Sequence, residues 1–360
     1  MIVTKRDLLV LLALARYFVL DRRHVQKLVF PKDGDGRVAR RRLAALADAG
    51  LIRRHSLLVA SSDDAVPAPV YFLADKGCQY LAETTGDSSY LYKPVQLPHP
   101  LHVRHHLAVT KLHMLLDAAI AARPGVELEA WFNETDVVNA GEPDPREHFR
   151  LVTRFDGEPT ITCSPDAGFV LNCQGLRTEY YLELERGDGH RGTGPRQLAE
   201  RKCPGYAELA RHRVYEKHFP AVGSDQFRVL LVTPDGRRRD AIRQAFAKQD
   251  AAQFRTDLWR FAALTDITVA SVLDSDIIFR SGLEPPERLG GGVSIHRGTS
   301  GAAGADTLPP GEIAVGGPGD AGPAALHEGP PGDARGGSHA NMQRERGEEQ
   351  QVDQQEQQLK

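Results

Sequence analysis

The sequence predicts an α/β chain, α+β overall, in three parts: a small helical unit closed by a hairpin, an α/β sandwich with a mixed sheet, and a disordered tail. Three observations carry this reading. Helical and extended periodicities follow one order up to about residue 80 and a different order from about residue 101. The apolar run FRVLLVT at 227–233 is typical of a strand buried on both faces. Beyond Pro286, Gly, Pro and Ala and then Gln and Glu dominate, with almost no aromatic residues. Such a stretch cannot offset its ordering entropy.

Length and charge agree with this division. A chain of 360 residues exceeds one ordinary core. The net charge of −3 hides an asymmetry: residues 1–60 carry 13 Lys and Arg against 5 Asp and Glu, whereas 284–360 carry 6 against 12. A basic head suggests a polyanionic partner. The four cysteines, Cys78, Cys163, Cys173 and Cys203, form no CxxC pair and no zinc spacing. Sparse thiols fit a reducing compartment. The apolar run Leu8–Leu14 is too short to span a membrane and lacks a cleavage site. The expectation is a cytoplasmic protein with no membrane contact.

In the first part, Thr4 caps a helix to about Val19 with Leu8, Leu11, Leu12 and Ala15 inward. Asp21 caps a second helix to Phe30, residues 31–36 are turn chemistry, and a third helix runs from Arg37 to Ala49, ended by Gly50. Two extended pieces, 51–60 and 70–74, flank a polar loop that reads as a hairpin tip. Three helices and a hairpin form a winged helix-turn-helix pattern, assigned to residues 1–83. Residues 84–100, rich in Gly, Ser and Pro, read as a linker.

The second part, 101–284, opens with an amphipathic helix over 105–122 and a strand over 127–132. Residues 139–159 read as loop; paired strands follow at 167–171 and 179–185 around a turn at 172–177. A helix at 195–218, kinked at Pro204, the strand at 227–233, a helix at 237–249 and a strand at 267–272 complete the order. Residues 285–360 form the tail, whose closing QQVDQQEQQLK reads as solvated.

Two constellations carry chemistry. Arg37, Arg40, Arg41 and Arg42 cluster in the first half of the third helix, with Arg53 and Arg54 just beyond. A recognition helix meets DNA with its N-terminal half, and Arg suits phosphates and guanine edges. In the second, Asp166 begins one strand and Glu183 lies inside the next, with Glu185 on the same side. Adjacent carboxylates repel, and a divalent cation relieves this and can activate water for phosphodiester hydrolysis. On spacing alone, an outward polar face with ordinary salt bridges is the stronger reading.

Asp followed by Glu-x-Lys on paired strands within such a core resembles the PD-(D/E)xK nuclease superfamily, whose fold is restriction-endonuclease-like. Pro165-Asp166 and Glu183 match its first two positions, Glu185 replaces the Lys, and Lys202, with Tyr206 one turn later, stands where that Lys migrates to the following helix. The segments RRRLAALADAGLIRR, HHLAVTKLHMLL, SPDAGFVL and YYLELERG and the Lys202–Tyr206 pair resemble, in that order, the replication-relaxation family of plasmids and mobile elements over about Thr4–Ser281. The resemblance implies a role in plasmid replication or DNA topology. It also implies catalytic roles for Asp166, Glu183, Glu185 and Lys202 if the site is active, and Asp166 and Glu183 as ligands of Mg2+ or Mn2+. Glu185 adds negative charge where the reaction accumulates more, which weighs against cleavage.

Other features take blander readings. Of His102, His105, His106 and His113, His106 is expected as a hydrogen-bonded core residue near the carboxylates, and Tyr206 and Arg186 as supporting residues. Glu129 and Glu134, around the first strand, offer a further carboxylate to a metal site, but solvent exposure is the preferred reading. The loop GDGHRGTGP lacks a phosphate-loop order, while Arg186, His190, Arg191 and Arg196 give that face a positive rim. No GxSxG and no dinucleotide fingerprint is present, so neither a nucleotide nor an organic cofactor is expected. Three readings stay open: a DNA-binding accessory protein of plasmid or mobile-element replication; a metal-dependent DNA endonuclease or nickase; and a winged-helix regulator that binds a replication or conjugation protein. Double-stranded DNA is the partner of the first two.

Overall fold

Helix α1 (Lys5–Tyr17) starts at a reciprocal cap in which Thr4 and Asp7 satisfy each other's backbone N–H groups. A computed structural model of the chain describes residues 2–56, 69–95, 100–138, 148–186, 194–219, 226–253, 258–281 and 284–289. The hairpin tip and the tail beyond residue 290 expected above therefore lie outside the described residues, as do the loop residues 187–193. The described residues form a mixed α/β fold with eight α-helices.

After α1 come β1 (Leu20–Asp21), α2 (Arg22–Val29) and α3 (Arg37–Asp48). The turn before α3 needs a left-handed residue, and Gly36 supplies it at φ 67°; a Cβ there would strike the Arg22 side chain. Asp33 caps α3 by accepting the Ala39 N–H at 2.8 Å. β2 (Ile52–Ser56) and β3 (Pro69–Leu73) pair antiparallel, and β1 joins the other side of β3, giving the sheet order β1-β3-β2. Leu11, Leu14, Val25, Leu43, Leu46 and Leu73 fill the core beneath.

The sequence reading missed α4 (Asp75–Thr85), because Gly77 breaks the helical pattern. The glycine is required by packing: a Cβ at residue 77 would lie 2.0 Å from the Leu51 carbonyl oxygen. The expected linker is partly structured, with α4 reaching Thr85 and a 3-10 turn over Ser88–Tyr92.

α5 (Pro100–Ala121) leads into β4 (Val126–Asn133). A small hairpin, β5 (Thr153–Phe155) with β6 (Ile161–Cys163), lies where a loop and a gap were expected. β7 (Ala167–Cys173) and β8 (Leu176–Leu184) join through Gln174 and Gly175, both at positive φ, as two-residue hairpin turns require. The helix expected over 195–218 is α6 (Pro195–Arg211) and α7 (Tyr215–His218), and the break falls at Arg213, which has φ 52°, not at Pro204. Pro204 stays inside α6. β9 (Phe227–Thr233), α8 (Gly236–Gln253), β10 (Trp259–Ala263) and β11 (Phe279–Arg280) follow. The strand expected at 267–272 is corrected: that stretch is turn, and the fully buried Trp259–Ala263 takes the parallel place beside β9. The apolar residues there, Ile267, Val272 and Leu273, cap the core from a turn instead.

The large sheet has the order β11-β10-β9-β8-β7-β4 and is mixed: β8, β9 and β10 run parallel, whereas the other pairs are antiparallel. One face packs Phe169, Tyr180, Leu182 and Val232 beneath α5. The other packs Val170, Tyr181, Val229 and Leu231 beneath α6 and α8. The period-two alternation of β8 therefore sends Glu183 toward α6.

α5 also serves the first unit. Asp117 accepts from Arg16 Nε at 2.8 Å, from Arg16 NH2 at 2.6 Å and from the Tyr17 hydroxyl at 2.6 Å. The Thr110 hydroxyl donates to the Tyr17 carbonyl at 2.9 Å, and Val103 completes a buried cluster with Phe18, Val19 and Val70. His113, 1% exposed, stacks on Trp131 with ring centres 3.9 Å apart, and neither ring nitrogen has a hydrogen-bond partner. Burial pushes His113 down to about 3, and His106 and His218 to about 4. All three are neutral when folded and titrate near 6.5 when unfolded, so the stability they contribute is complete above pH 6.5 and lost as pH falls toward 4. Phe at position 113 keeps the stack without the proton. Melting temperatures of His113→Phe are therefore expected to fall less steeply than wild type between pH 6.5 and pH 4, and parallel profiles would contradict this.

Candidate functional site

Arg37, Arg40, Arg41, Arg53 and Arg54 are exposed on α3 and β2. Arg37 stands 3.8 Å from Asp35, and Arg53 lies 3.1 Å from Asp75; all four side chains are at least 47% exposed. Ion pairs so exposed contribute about 0–1 kcal/mol. Arg42 differs from its neighbours. Its guanidinium turns inward onto fully buried Asp7, with Nε donating to Oδ1 at 2.8 Å and NH2 to Oδ2. Burial works against the Asp7 charge, yet Arg42 and Thr4 hold its carboxyl below the usual range. The structure therefore removes Arg42 from the exposed basic face and gives it a structural partner.

The second cluster forms where β7, β8, α5 and α6 meet. Asp166 directly precedes β7, and its N–H donates to the Leu182 carbonyl at 3.0 Å. Asp166 Oδ1 accepts from His105 Nε2 at 3.0 Å, and Oδ2 accepts the Leu184 N–H at 2.6 Å. Glu183, 5% exposed on β8, takes Lys202 Nζ at 2.6 Å on Oε2 and 2.7 Å on Oε1, and Oε1 also accepts the Tyr206 hydroxyl at 2.6 Å. Lys202 and Tyr206, one turn apart on α6, thus meet one carboxylate. Lys202 Nζ also lies 3.5 Å from the Ser164 carbonyl.

Burial raises Glu183, aided by the Asp166 charge, against the pull of Lys202. Lys202 is held above its ordinary value by Glu183 and Asp166 although burial lowers it. Burial raises Asp166, but His105 and Lys202 outweigh it and hold the carboxyl down. Burial lowers His105, but Asp166 and then Glu134 raise it on balance. Burial and the Asp166 charge push Glu134 up to about 7.

Residues 11–222 match the family model described as replication-relaxation. The chain belongs to the replication-relaxation family. Membership ties it to replication or mobile-element processes. No curated protein matches the chain significantly. No solved structure matches it significantly. The segment shared with the replication-relaxation model holds α3, Asp166, Glu183, Lys202 and Tyr206. β9, α8, β10 and β11 lie beyond it.

Glu185, which the sequence reading set in the place of a motif lysine, turns away from the cluster onto α8: Arg238 NH2 lies 3.1 Å from Oε1 and Nε 3.2 Å from Oε2. Its partner therefore stands outside the matched segment. His106, expected beside the carboxylates, packs its ring edge-on against Phe18; its neighbour His105 reaches Asp166 instead. Adjacent helical residues point about 100° apart, so α5 sends one histidine to each unit. Arg186 follows β8 and is half-buried; Arg196 is exposed and pairs with Glu200 at 2.7 Å.

A divalent cation needs several oxygen donors turned to one point. Both Asp166 oxygens are engaged by His105 and a backbone N–H, and both Glu183 oxygens face Lys202. Among the described residues, no three His, Cys, Asp or Glu side chains converge as a metal-binding group. The donors do not fit Mg2+ or Mn2+ in this arrangement, because the protein's own cations stand at both carboxylates.

Sequence reasoning named His105 but favoured His106 for the place beside the carboxylates, and it preferred solvent exposure for Glu134 over a place in the carboxylate site. Glu134 was read as solvent-facing, but its N–H meets the Asp166 carbonyl at 3.3 Å, which draws its side chain into the cluster's field. The reading of Glu129 as a surface residue stands closer to the structure: it pairs at the sheet edge with Arg177 and Asn172.

Because Glu134 binds its proton more tightly folded than unfolded, its ionisation is destabilising as pH rises from its ordinary 4.5 through about 7. Glu134→Gln removes that loss. The variant's melting temperature is expected to gain on wild type as pH goes from 5 to 7.5; a difference independent of pH would contradict this placement.

Proposed function

We propose that the chain is a DNA-binding accessory protein of plasmid or mobile-element replication. The first unit acts as a winged helix whose exposed arginines grip duplex DNA. The second, nuclease-like in its strand order, is a nucleic-acid platform that does not cut. The observation that carries this is the sorting of arginines on one short segment. Five face solvent from α3 and β2, while Arg42 alone is turned to Asp7. The acidic neighbours of the exposed five make weak surface pairs that a phosphate can displace. This favours DNA over a protein partner, which would bury the same face against a neutral or acidic surface.

The test is the salt dependence of duplex affinity, followed by fluorescence anisotropy. Replacing Arg37, Arg40 and Arg41 together by Ala is expected to weaken binding and lower the log–log salt slope by about 0.9 per lost phosphate contact. Arg42→Ala is expected to leave that slope unchanged and instead cost about 2 kcal/mol of stability, as charged hydrogen bonds to Asp7 are lost. An unchanged slope in the triple variant would overturn the reading.

A second reading, metal-dependent cleavage, is favoured by the meeting of Asp166, Glu183 and Lys202. It requires Lys202 to give up Glu183 to a metal. Supercoiled plasmid is expected to stay uncut with Mg2+ or Mn2+ while still shifting in a gel. Nicking abolished by Asp166→Ala and by Glu183→Ala would establish the second reading.

A further inference from the structure

Toward its β11 edge, the large sheet carries a row of arginines across three neighbouring strands: Arg228 on β9, Arg260 on β10 and Arg280 on β11. Arg260 stands directly opposite Arg280 in the antiparallel register. Leu230 is the parallel partner of Arg260, and Arg228, two residues earlier on β9, shares its face. Like charges directly opposite each other destabilise a strand pair, and an anion between them turns the repulsion into attraction.

Glu287 supplies that anion. Its Oε1 accepts from Arg260 Nε, and its Oε2 accepts from Arg280 NH2 at 2.9 Å and from Arg280 Nε at 3.1 Å. Arg228 NH1 donates to the Tyr180 hydroxyl at 3.3 Å, a neutral acceptor. Burial raises Glu287, but Arg260 and Arg280 outweigh it and hold the carboxyl below the usual range. Burial lowers Arg260; Glu287 opposes this, while the Arg228 and Arg280 charges add to it.

The carboxylate comes from residues 284–289, which are tied down without it. The Glu287 N–H donates to the Ile278 carbonyl at 2.7 Å, and its carbonyl accepts the Ile278 N–H at 2.9 Å. Leu289, 3% exposed, belongs to the core beneath. Neither tie uses the Glu287 side chain. That side chain is 18% exposed and Arg280 is 35% exposed, so solvent reaches the pair at the sheet edge, with Arg260 buried behind it.

We propose that Arg228, Arg260 and Arg280 form a seat for a phosphate group, and that Glu287 is its internal plug. A phosphate displaces the plug when the Glu287 side chain turns out to solvent while its backbone stays bound to Ile278. The exchange is favourable because a phosphate carries more charge than a carboxylate and offers oxygens to more than two guanidinium forks. Arg228 then gains an anionic acceptor in place of a neutral one. Arg228, Arg260, Arg280 and Glu287 all lie beyond the segment that the family model matches. The seat does not depend on the DNA-binding reading above.

The experiment measures the melting temperature of the full chain at pH 7 as inorganic phosphate replaces chloride at fixed ionic strength, since a ligand bound only by the folded state raises it. Glu287→Ala opens the seat without releasing the backbone. It is expected to melt lower than wild type in chloride and to recover saturably with phosphate. Wild type, still plugged, is expected to need a several-fold higher phosphate concentration for half its gain. Adding Arg228→Gln to Glu287→Ala is expected to weaken the recovery several-fold. A Glu287→Ala protein that gains no more from phosphate than wild type overturns the seat. Should that variant fail to fold, Glu287→Gln is read by the same comparison. A labelled duplex then identifies the source of the phosphate. A salt slope steeper in Glu287→Ala than in wild type by about 0.9 assigns the seat to one phosphate of DNA, and an equal slope assigns it to a free phosphate group.

Discussion

Glu183 places a carboxylate beside the buried Tyr180, Tyr181, Leu182 and Leu184 of β8, and a charge so buried is costly unless it is paired and hydrogen-bonded. Lys202 and Tyr206 meet that need, and in doing so they fix how α6 crosses β8. The rest of the cluster follows from this crossing. α6 lies close to β6 because residue 205 is Gly: a Cβ there would stand 3.0 Å from the Cys163 Cβ. Tyr206 also contacts Trp259 edge-on at 5.1 Å, which links the pair to the core under α8. The polar contact is thus seated against an apolar layer that sets its position.

α5 is the second constraint. On one side its residues cover Phe169 and Leu182 of the large sheet; on the other they hold Tyr17 and Phe18 of the first unit. Phe18 adopts φ 65°, a conformation costly for a non-glycine residue, and the Thr110 hydroxyl binds the carbonyls of Tyr17 and Val19 on either side. His105 on the same helix completes Asp166. One helix therefore positions both the basic face of α3 and the carboxylate cluster, so the two surfaces belong to one framework.

Much of this was legible in residue order. The capping residues Thr4 and Asp21, the spacing of Arg37–Arg42 and the apolar run at 227–233 led directly to helices and a buried strand that the structure contains. The approach of Lys202 to Glu183 was implied by the family resemblance, whereas spacing alone showed only that Lys202 and Tyr206 share one face of α6. What was not legible depends on distant packing. Whether Arg42 meets DNA or Asp7 is decided by how α3 lies on α1, 35 residues away in sequence. Glu134 and His105 acquire their roles only when β4 and α5 arrive at the end of β7. α4 and β10 were missed or misplaced because Gly77 and the turn around Ile267 carry local patterns that tertiary burial overrides.

The central claim is that the cluster is closed by the protein's own cations, His105 on Asp166 and Lys202 on Glu183. The most direct measurement is the melting temperature of the full chain as Mg2+ or Mn2+ is titrated at fixed ionic strength, since a ligand bound only by the folded state raises it. The account predicts no change for the wild type. A saturable rise that disappears in Asp166→Asn and in Glu183→Gln would contradict it.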